Sequence, residues 1–195
     1  QYDNQRVLIH DIKDQFRVIE GLARENKNEE LIDYLYRFEA KPELSNQIRL
    51  CDNSVLNAIL VWYADQCRQN GIAYHFDVRA DCVSFLDPNS ITALFGNLLS
   101  NAFEAACLSA RKSIELSVVK RPVGGVILSI VNSCDSKPPK DLDGNLKTTK
   151  KDTEHHGLGL KSVNKVIKQY GGFSTLYYDE AEKMFHCIIH FPAEK

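Results

Sequence analysis

Apolar positions along this chain change period several times, and each change marks an element. Over residues 1–27, Leu8, Ile12, Ile19 and Leu22 fall on the d, a, a and d positions of a heptad, with Gln15 at the intervening d. Ile9 and Phe16 widen that stripe at e, which suits a helix bundle better than a two-stranded coil. Asn28 can cap a second helix over 29–40, with Leu31, Leu35 and Phe38 as its stripe, and Pro42 ends it. Residues 41–50 read as a linker. A hairpin of two helices has too little core to stand alone, so residues 1–45 are expected to dimerise into a four-helix bundle.

Residues 46–195 read as a second domain. A helix over 53–70, starting at Asp52 or Asn53, carries Val55, Ile59, Trp62, Tyr63 and Gln66 or Cys67 at helical spacing, and Asn70-Gly71 ends it. Ile72–Val78 alternates as a strand, and a second short strand is expected around Cys82–Leu86. Asp87-Pro88 starts the next helix, with Asp as N-cap and Pro at the first helical position. Its buried face is predicted as Ile91, Phe95, Leu98, Leu99, Ala102, Ala105 and Ala106. Ser113–Lys120 and Gly125–Asn132 alternate and are joined through Arg121–Gly125 as a hairpin. A long polar stretch, Ser133–His156, precedes a helix that runs to about Tyr170 and stops at Gly171-Gly172. Phe173–Asp179 and Met184–Phe191 close the chain as a second hairpin. The expected fold is a two-layer α/β sandwich: a mostly antiparallel mixed sheet with helices on one face.

Composition narrows the class. The 195 residues are 44% hydrophobic and 26% charged, with a formal net charge of −2, so no electrostatic argument favours nucleic acid or an anionic membrane. Six cysteines are scattered without a C-x-x-C pair or zinc spacing, and read as reduced thiols of a cytoplasmic protein. No apolar run approaches the length of a bilayer span, and nothing reads as a signal peptide. The chain opens inside a helical pattern without Met, as a segment of something longer would.

Three groups of residues carry candidate chemistry. Asn97, Asn101 and Glu104 stand four and three residues apart on the Asp87-Pro88 helix, on one stripe beside its apolar face. Two carboxamides and a carboxylate so placed can hold a hydrated divalent cation and the phosphates it carries; the plain alternative is a solvated helix face. His156-Gly157-Leu158-Gly159-Leu160-Lys161-Ser162-Val163 opens another helix, where a glycine-rich turn lets backbone N–H groups approach phosphate. Nearer the start, His10 falls at heptad position f with Asp11 beside it, an accessible imidazole with a carboxylate to take its proton.

The Asn-x-x-x-Asn-Ala helix followed by Gly-Leu-Gly-Leu resembles the N-box and G-box of the GHKL (Bergerat-type) nucleotide-binding superfamily. With His10-Asp11-Ile12-Lys13 and the stretch from Thr148, nearly the whole chain resembles the cytoplasmic part of a two-component sensor histidine kinase, in particular the peptide-pheromone quorum-sensing branch. The resemblance implies ATP and Mg²⁺ as cofactors. It implies autophosphorylation of His10 with Asp11 as general base, then transfer to an aspartate of a response regulator. Asn101 would coordinate Mg²⁺, Asn97 would help position the cation or the attacking group, and Glu104 would buffer the metal or stand by. Gly157 and Gly159 would lie against the phosphates within the motif that His156, Leu158 and Leu160 complete. Among Lys147–Lys151, the lid residues Thr148, Thr149 and Lys150 are γ-phosphate candidates. It further implies a homodimer, joined to a membrane only through a sensor region outside this chain.

Three positions depart from the family pattern. Where most histidine kinases have Asp-x-Gly, this chain has Val131-Asn132-Ser133-Cys134, so the acceptor for the adenine amino group would be the neutral amide oxygen of Asn132. Glu104 stands where many relatives have a basic residue, and Asp14 and Gln15 follow Lys13 where Asn and His are usual. The missing Asp-x-Gly favours an alternative, an ATP-binding signalling module without kinase activity. An ATP-hydrolysing clamp is disfavoured, because Asn97 stands where such enzymes keep a glutamate to activate water.

Overall fold

The computed structural model describes residues 49–122, 124–138 and 158–193, together with Val18, Ile19, residues 21–25, Lys27 and Glu30. The chain divides into two compact units, Gln1–Gln47 and Ile48–Lys195. Within the first, residues 18, 19 and 21–24 are helical, and the amide of Glu25 donates to the carbonyl of Gly21 at 3.1 Å. The expected helical pairing, the bundle and the His10-Asp11 pair lie outside the described residues.

In the second unit, helix α1 (Ser54–Gln69) is followed by β1 (Ala73–Val78), α2 (Pro88–Leu108), β2 (Ser113–Lys120) and β3 (Val126–Ser133). Then come α3 (Leu158–Gln169), β4 (Phe173–Asp179) and β5 (Met184–Phe191). The five strands form one mixed sheet in the order β1-β2-β3-β5-β4. β1 runs parallel to β2 because α2 carries the chain back across the sheet between them, and every other neighbouring pair is antiparallel.

Alternation decides which side of the sheet is covered. Ile114, Leu116 and Val118 on β2, Val126, Leu128 and Ile130 on β3, and Cys187, Ile189 and Phe191 on β5 are buried, whereas the residues between them are more open. Onto this face α2 brings Ile91, Leu94, Phe95, Leu98, Leu99, Ala102 and Ala106. It also packs against both other helices and against β2 and β3, which makes it the hub of the unit.

Element ends follow the expected local chemistry. Asn53 caps α1, its side chain accepting from the Leu56 amide at 3.0 Å, and Gly71 beyond its end adopts a left-handed φ of 65°. Three expectations are corrected. Cys82–Leu86 is a run of turns and not a strand: Asp81 has φ 59°, and the amides of Cys82 and Leu86 donate to Arg79 and Val83. Its neighbours Cys82 and Val83 are both buried, which a strand with one covered face does not allow. Ala105 is only half-buried, and Leu94, absent from the foreseen face, is fully buried. Among the described residues α2 is, by length and composition, apolar enough to cross a bilayer, although no apolar run signalled it; its apolar side is spent on the core just described.

Candidate functional site

The site is built along α2, and its first turn is fixed by one carboxylate. Asp87 accepts from the amides of Asn89 at 2.9 Å and Ser90 at 3.0 Å, and from the hydroxyl of Ser90 at 2.6 Å. The phenol of Tyr170, just past the end of α3, donates to the same carboxylate at 2.7 Å. These bonds, the Ser90 side chain first and Tyr170 next, hold the Asp87 carboxyl well below the usual carboxylate range. Phe85, Tyr170 and Phe191 pack edge-on around the junction. The C-terminal end of α3 is thereby pinned to the start of α2.

The other end of α3 meets α2 at Asn97. A methyl carbon placed on Gly159 would lie 2.7 Å from Asn97 Oδ1 and 3.4 Å from its Cγ, so the two motifs are in contact. The Asn97 amide nitrogen donates to the Ala93 carbonyl at 2.6 Å. From Asp87 to Asn97 and from Tyr170 back to Gly159 the helices advance by nearly the same length, about 15 Å at 1.5 Å per residue. The two helices therefore run antiparallel with matched spans, over the buried Val163, Val166 and Ile167 of α3.

The predicted stripe divides between two neighbours. Asn97 faces α3, and Asn101, one turn on, is exposed. Glu104 is half-buried and accepts from the Ser100 hydroxyl at 3.1 Å. Beside them, the Tyr63 phenol of α1 donates to the Gly96 carbonyl at 3.3 Å, and burial raises its pKa against a lowering contribution from Ser100. Glu104 is thus tied into the polar seam that joins α1 to α2.

Asn132 lies on the covered face of β3, opposite Ile114 of β2 and Phe185 of β5, and is 4% exposed. Its amide nitrogen donates to the Ser133 carbonyl at 3.0 Å. Ser133 is fully buried, and its hydroxyl accepts from the Ser113 amide at 2.9 Å. Gly159 and Leu160 are half-buried in the first turn of α3, which Leu158 begins. His10, Asp11, Thr148, Thr149, Lys150, His156 and Gly157 lie outside the described residues. No group of His, Cys, Asp and Glu among the described residues could hold a metal by itself. A hydrated Mg²⁺ asks for fewer protein ligands, because waters and bound phosphates can supply most of its oxygens.

Sequence reasoning missed Ser90, Tyr170, Tyr63 and Ser133. Only Ser90 had a local signal, three residues after the N-cap Asp87, where a side chain can answer the cap. Tyr170 and Tyr63 find their partners far away in sequence, and the Ser133 hydroxyl bonds Ser113 on the neighbouring strand.

Residues 86–192 match the family profile described as the GHKL domain. The chain belongs to the GHKL family. Among curated proteins it is 23% identical over 197 residues to "Sensor protein CitS" of Halalkalibacterium halodurans, covering 96% of this chain and 36% of that one. It is 28% identical over 179 residues to "Probable C4-dicarboxylate sensor kinase" of Bacillus subtilis, covering 86% and 33%. This GHKL chain therefore spans about a third of the length of these relatives. Its fold is that of the catalytic domain of histidine kinase ThkA, with a TM-score of 0.53 and 23% identity over 72% of this chain and 91% of that one. The mycobacterial sensor histidine kinase MprB gives a TM-score of 0.53 at 17% identity, over 72% and 94%. The second unit thus has the fold of histidine-kinase catalytic domains.

Proposed function

We propose that this chain is the catalytic region of a two-component sensor histidine kinase, which moves the γ-phosphoryl group of ATP to His10 and then to an aspartate of a response regulator. The observation that supports this best is the contact between Gly159 and Asn97, which joins the two motifs of a nucleotide-binding GHKL site where the start of α3 meets the middle of α2. The α3 N-terminus offers backbone N–H groups and a positive dipole end to phosphate. Asn101 would hold Mg²⁺ through its amide oxygen, and the ion supplies neutralisation of phosphate charge. The Asn132 amide nitrogen is already engaged by Ser133, which leaves its oxygen as the acceptor for the adenine amino group. At His10 the imidazole nitrogen forms the new N–P bond as the bond to ADP breaks, and Asp11 takes the imidazole proton.

In this reading residues 1–45 form the dimerising hairpin and 46–195 the ATP-binding domain, with Thr148, Thr149 and Lys150 as lid residues for the γ-phosphate and Gly157, next to His156, against the phosphates. The chain works in the cytoplasm as a segment of a membrane-anchored sensor. The acceptor box His10-Asp11-Ile12-Lys13, and Asn132 at a place where the peptide-pheromone branch commonly has Asn, support that branch. The two curated relatives carry no peptide-related name, so the branch rests on those residues alone.

Autophosphorylation with γ-labelled ATP tests the proposal. Acid-labile, base-stable label on the native chain and none on His10→Ala is expected. Label that survives His10→Ala overturns the assignment of the acceptor. ATP binding without label, also with the dimer held by a fused coiled coil, would establish instead the signalling module without kinase activity that the missing Asp-x-Gly favours.

A further inference from the structure

We propose that Gly159 is a positioning residue for Asn97: by lacking a side chain it lets α3 close against the Asn97 carboxamide and holds it in one orientation. This deepens the kinase reading and rests on it for the identity of the ligand.

The argument starts from what glycine is needed for. Gly71, Gly124, Gly125 and Gly171 have φ between 65° and 88°, where a side chain strains the backbone, so conformation explains them. Gly159 has no such φ and sits in the first turn of a helix, a conformation open to any residue. Unlike Gly172, where a Cβ would meet the His190 carbonyl at 2.6 Å, Gly159 is obstructed by a side chain alone. A Cβ there would stand 2.7 Å from Asn97 Oδ1, 3.4 Å from Cγ and 3.8 Å from Cβ. The distance to Oδ1 is shorter than real Cβ contacts reach, so one side must move.

Neither side moves freely. The Asn97 side chain is tied at its other end, where Nδ2 donates to the Ala93 carbonyl at 2.6 Å, so turning Oδ1 away breaks that bond. α3 is held by Val163, Val166 and Ile167 in the core and by Tyr170 on Asp87. The missing methyl at 159 and the bond to Ala93 therefore fix the Asn97 amide from two directions. An amide so fixed presents the same atoms each time to whatever binds between α2 and α3, which is preorganisation of the site.

Thermal unfolding of the nucleotide-free chain is compared for the native protein, Gly159→Ala, Asn97→Ala and the double variant. Alanine favours helix over glycine, so with open space the substitution stabilises. Gly159→Ala is expected to lower the melting temperature by about 2–4 °C in the native background, and to leave it unchanged or raise it in the Asn97→Ala background, where the obstructing oxygen is gone. An equal loss in both backgrounds overturns the proposal.

A contact of Gly159 with phosphate would act whatever stands at 97, and positioning of Asn97 would not. Gly159→Ala is expected to reduce the tightening of ATP binding by Mg²⁺ about fivefold in the native background, the equivalent of one hydrogen bond, and to have no further effect on it in the Asn97→Ala background. An equal loss in both backgrounds would make Gly159 a packing or phosphate-contact residue and overturn the positioning role. If the native chain binds no nucleotide, the kinase reading fails, while the sign of the melting shifts still decides whether Gly159 constrains Asn97.

Discussion

Replacing Asn132 by aspartate would restore the carboxylate that most histidine kinases present to adenine, yet here the change is expected to harm the protein. Asn132 and Ser133 are 4% and 0% exposed, and the bond between them runs from the amide nitrogen to the Ser133 carbonyl. Aspartate removes the donor, sets a carboxylate oxygen against a carbonyl oxygen and buries a charge. Leaving one buried partner unsatisfied costs about 1–3 kcal/mol. For a unit of this size that is a loss of about 3–9 °C in melting temperature. Burial raises the carboxyl pKa of the introduced residue above its unfolded value. The sign follows: below the unfolded pKa the acid is protonated in both states and can donate to Ser133, so the defect is smallest. As pH rises through the raised folded pKa the defect grows to its full size. Urea unfolding at several pH values with ATP titration is the assay. The expected result is a lower midpoint at neutral pH that recovers on acidification, with no gain in ATP affinity. An unchanged midpoint together with tighter ATP binding would refute the structural role of the Asn132–Ser133 bond.

Leu99→Ala empties a fully buried position on the hub helix and should cost about 2–5 kcal/mol in urea unfolding. Asp87→Asn should flatten the acid limb of stability. The native carboxyl is held below its ordinary 3.8 by Ser90 and Tyr170, so it stabilises above that pH and loses its contribution as pH falls toward the depressed folded value. The difference between the two proteins is expected to shrink on that limb in thermal unfolding from pH 6 downward. Asn101→Ala, an exposed position, should leave the melting temperature of the free chain within about 1 °C while abolishing Mg·ATP binding by calorimetry.

What was legible in the sequence was local. The start of α2 could be read from Asp87-Pro88, because capping is chemistry between residues two or three apart. The last hairpin could be read from alternation, because its two strands are neighbours in the chain. Cys82–Leu86 misled for the same reason: a turn that buries Cys82, Val83 and Leu86 for tertiary reasons leaves an apolar trace resembling a short strand. The acceptor imidazole and the lid remain matters of motif and position, since His10 and Thr148–Lys150 lie outside the described residues.

The site needed something that no local pattern holds, the register of α3 on α2. Gly159 stood out as part of a glycine motif, and the expected reason was approach to phosphate. The structure supplies a second reason, because the atom nearest its missing Cβ belongs to Asn97. That contact follows from how α3 is held at its far end, where Tyr170 reaches Asp87 across a separation of 83 residues. With one end pinned, the matched spans from Asp87 to Asn97 and from Tyr170 back to Gly159 bring the other to Asn97 and to no other turn of α2: a shift of one residue would move α3 by about 1.5 Å and turn it by about 100°. Val163, Val166 and Ile167 would then leave the core. Core packing thus sets the register, and the register sets which glycine meets which asparagine. The two motifs can be recognised separately in the sequence, but their dependence on each other is a property of the fold.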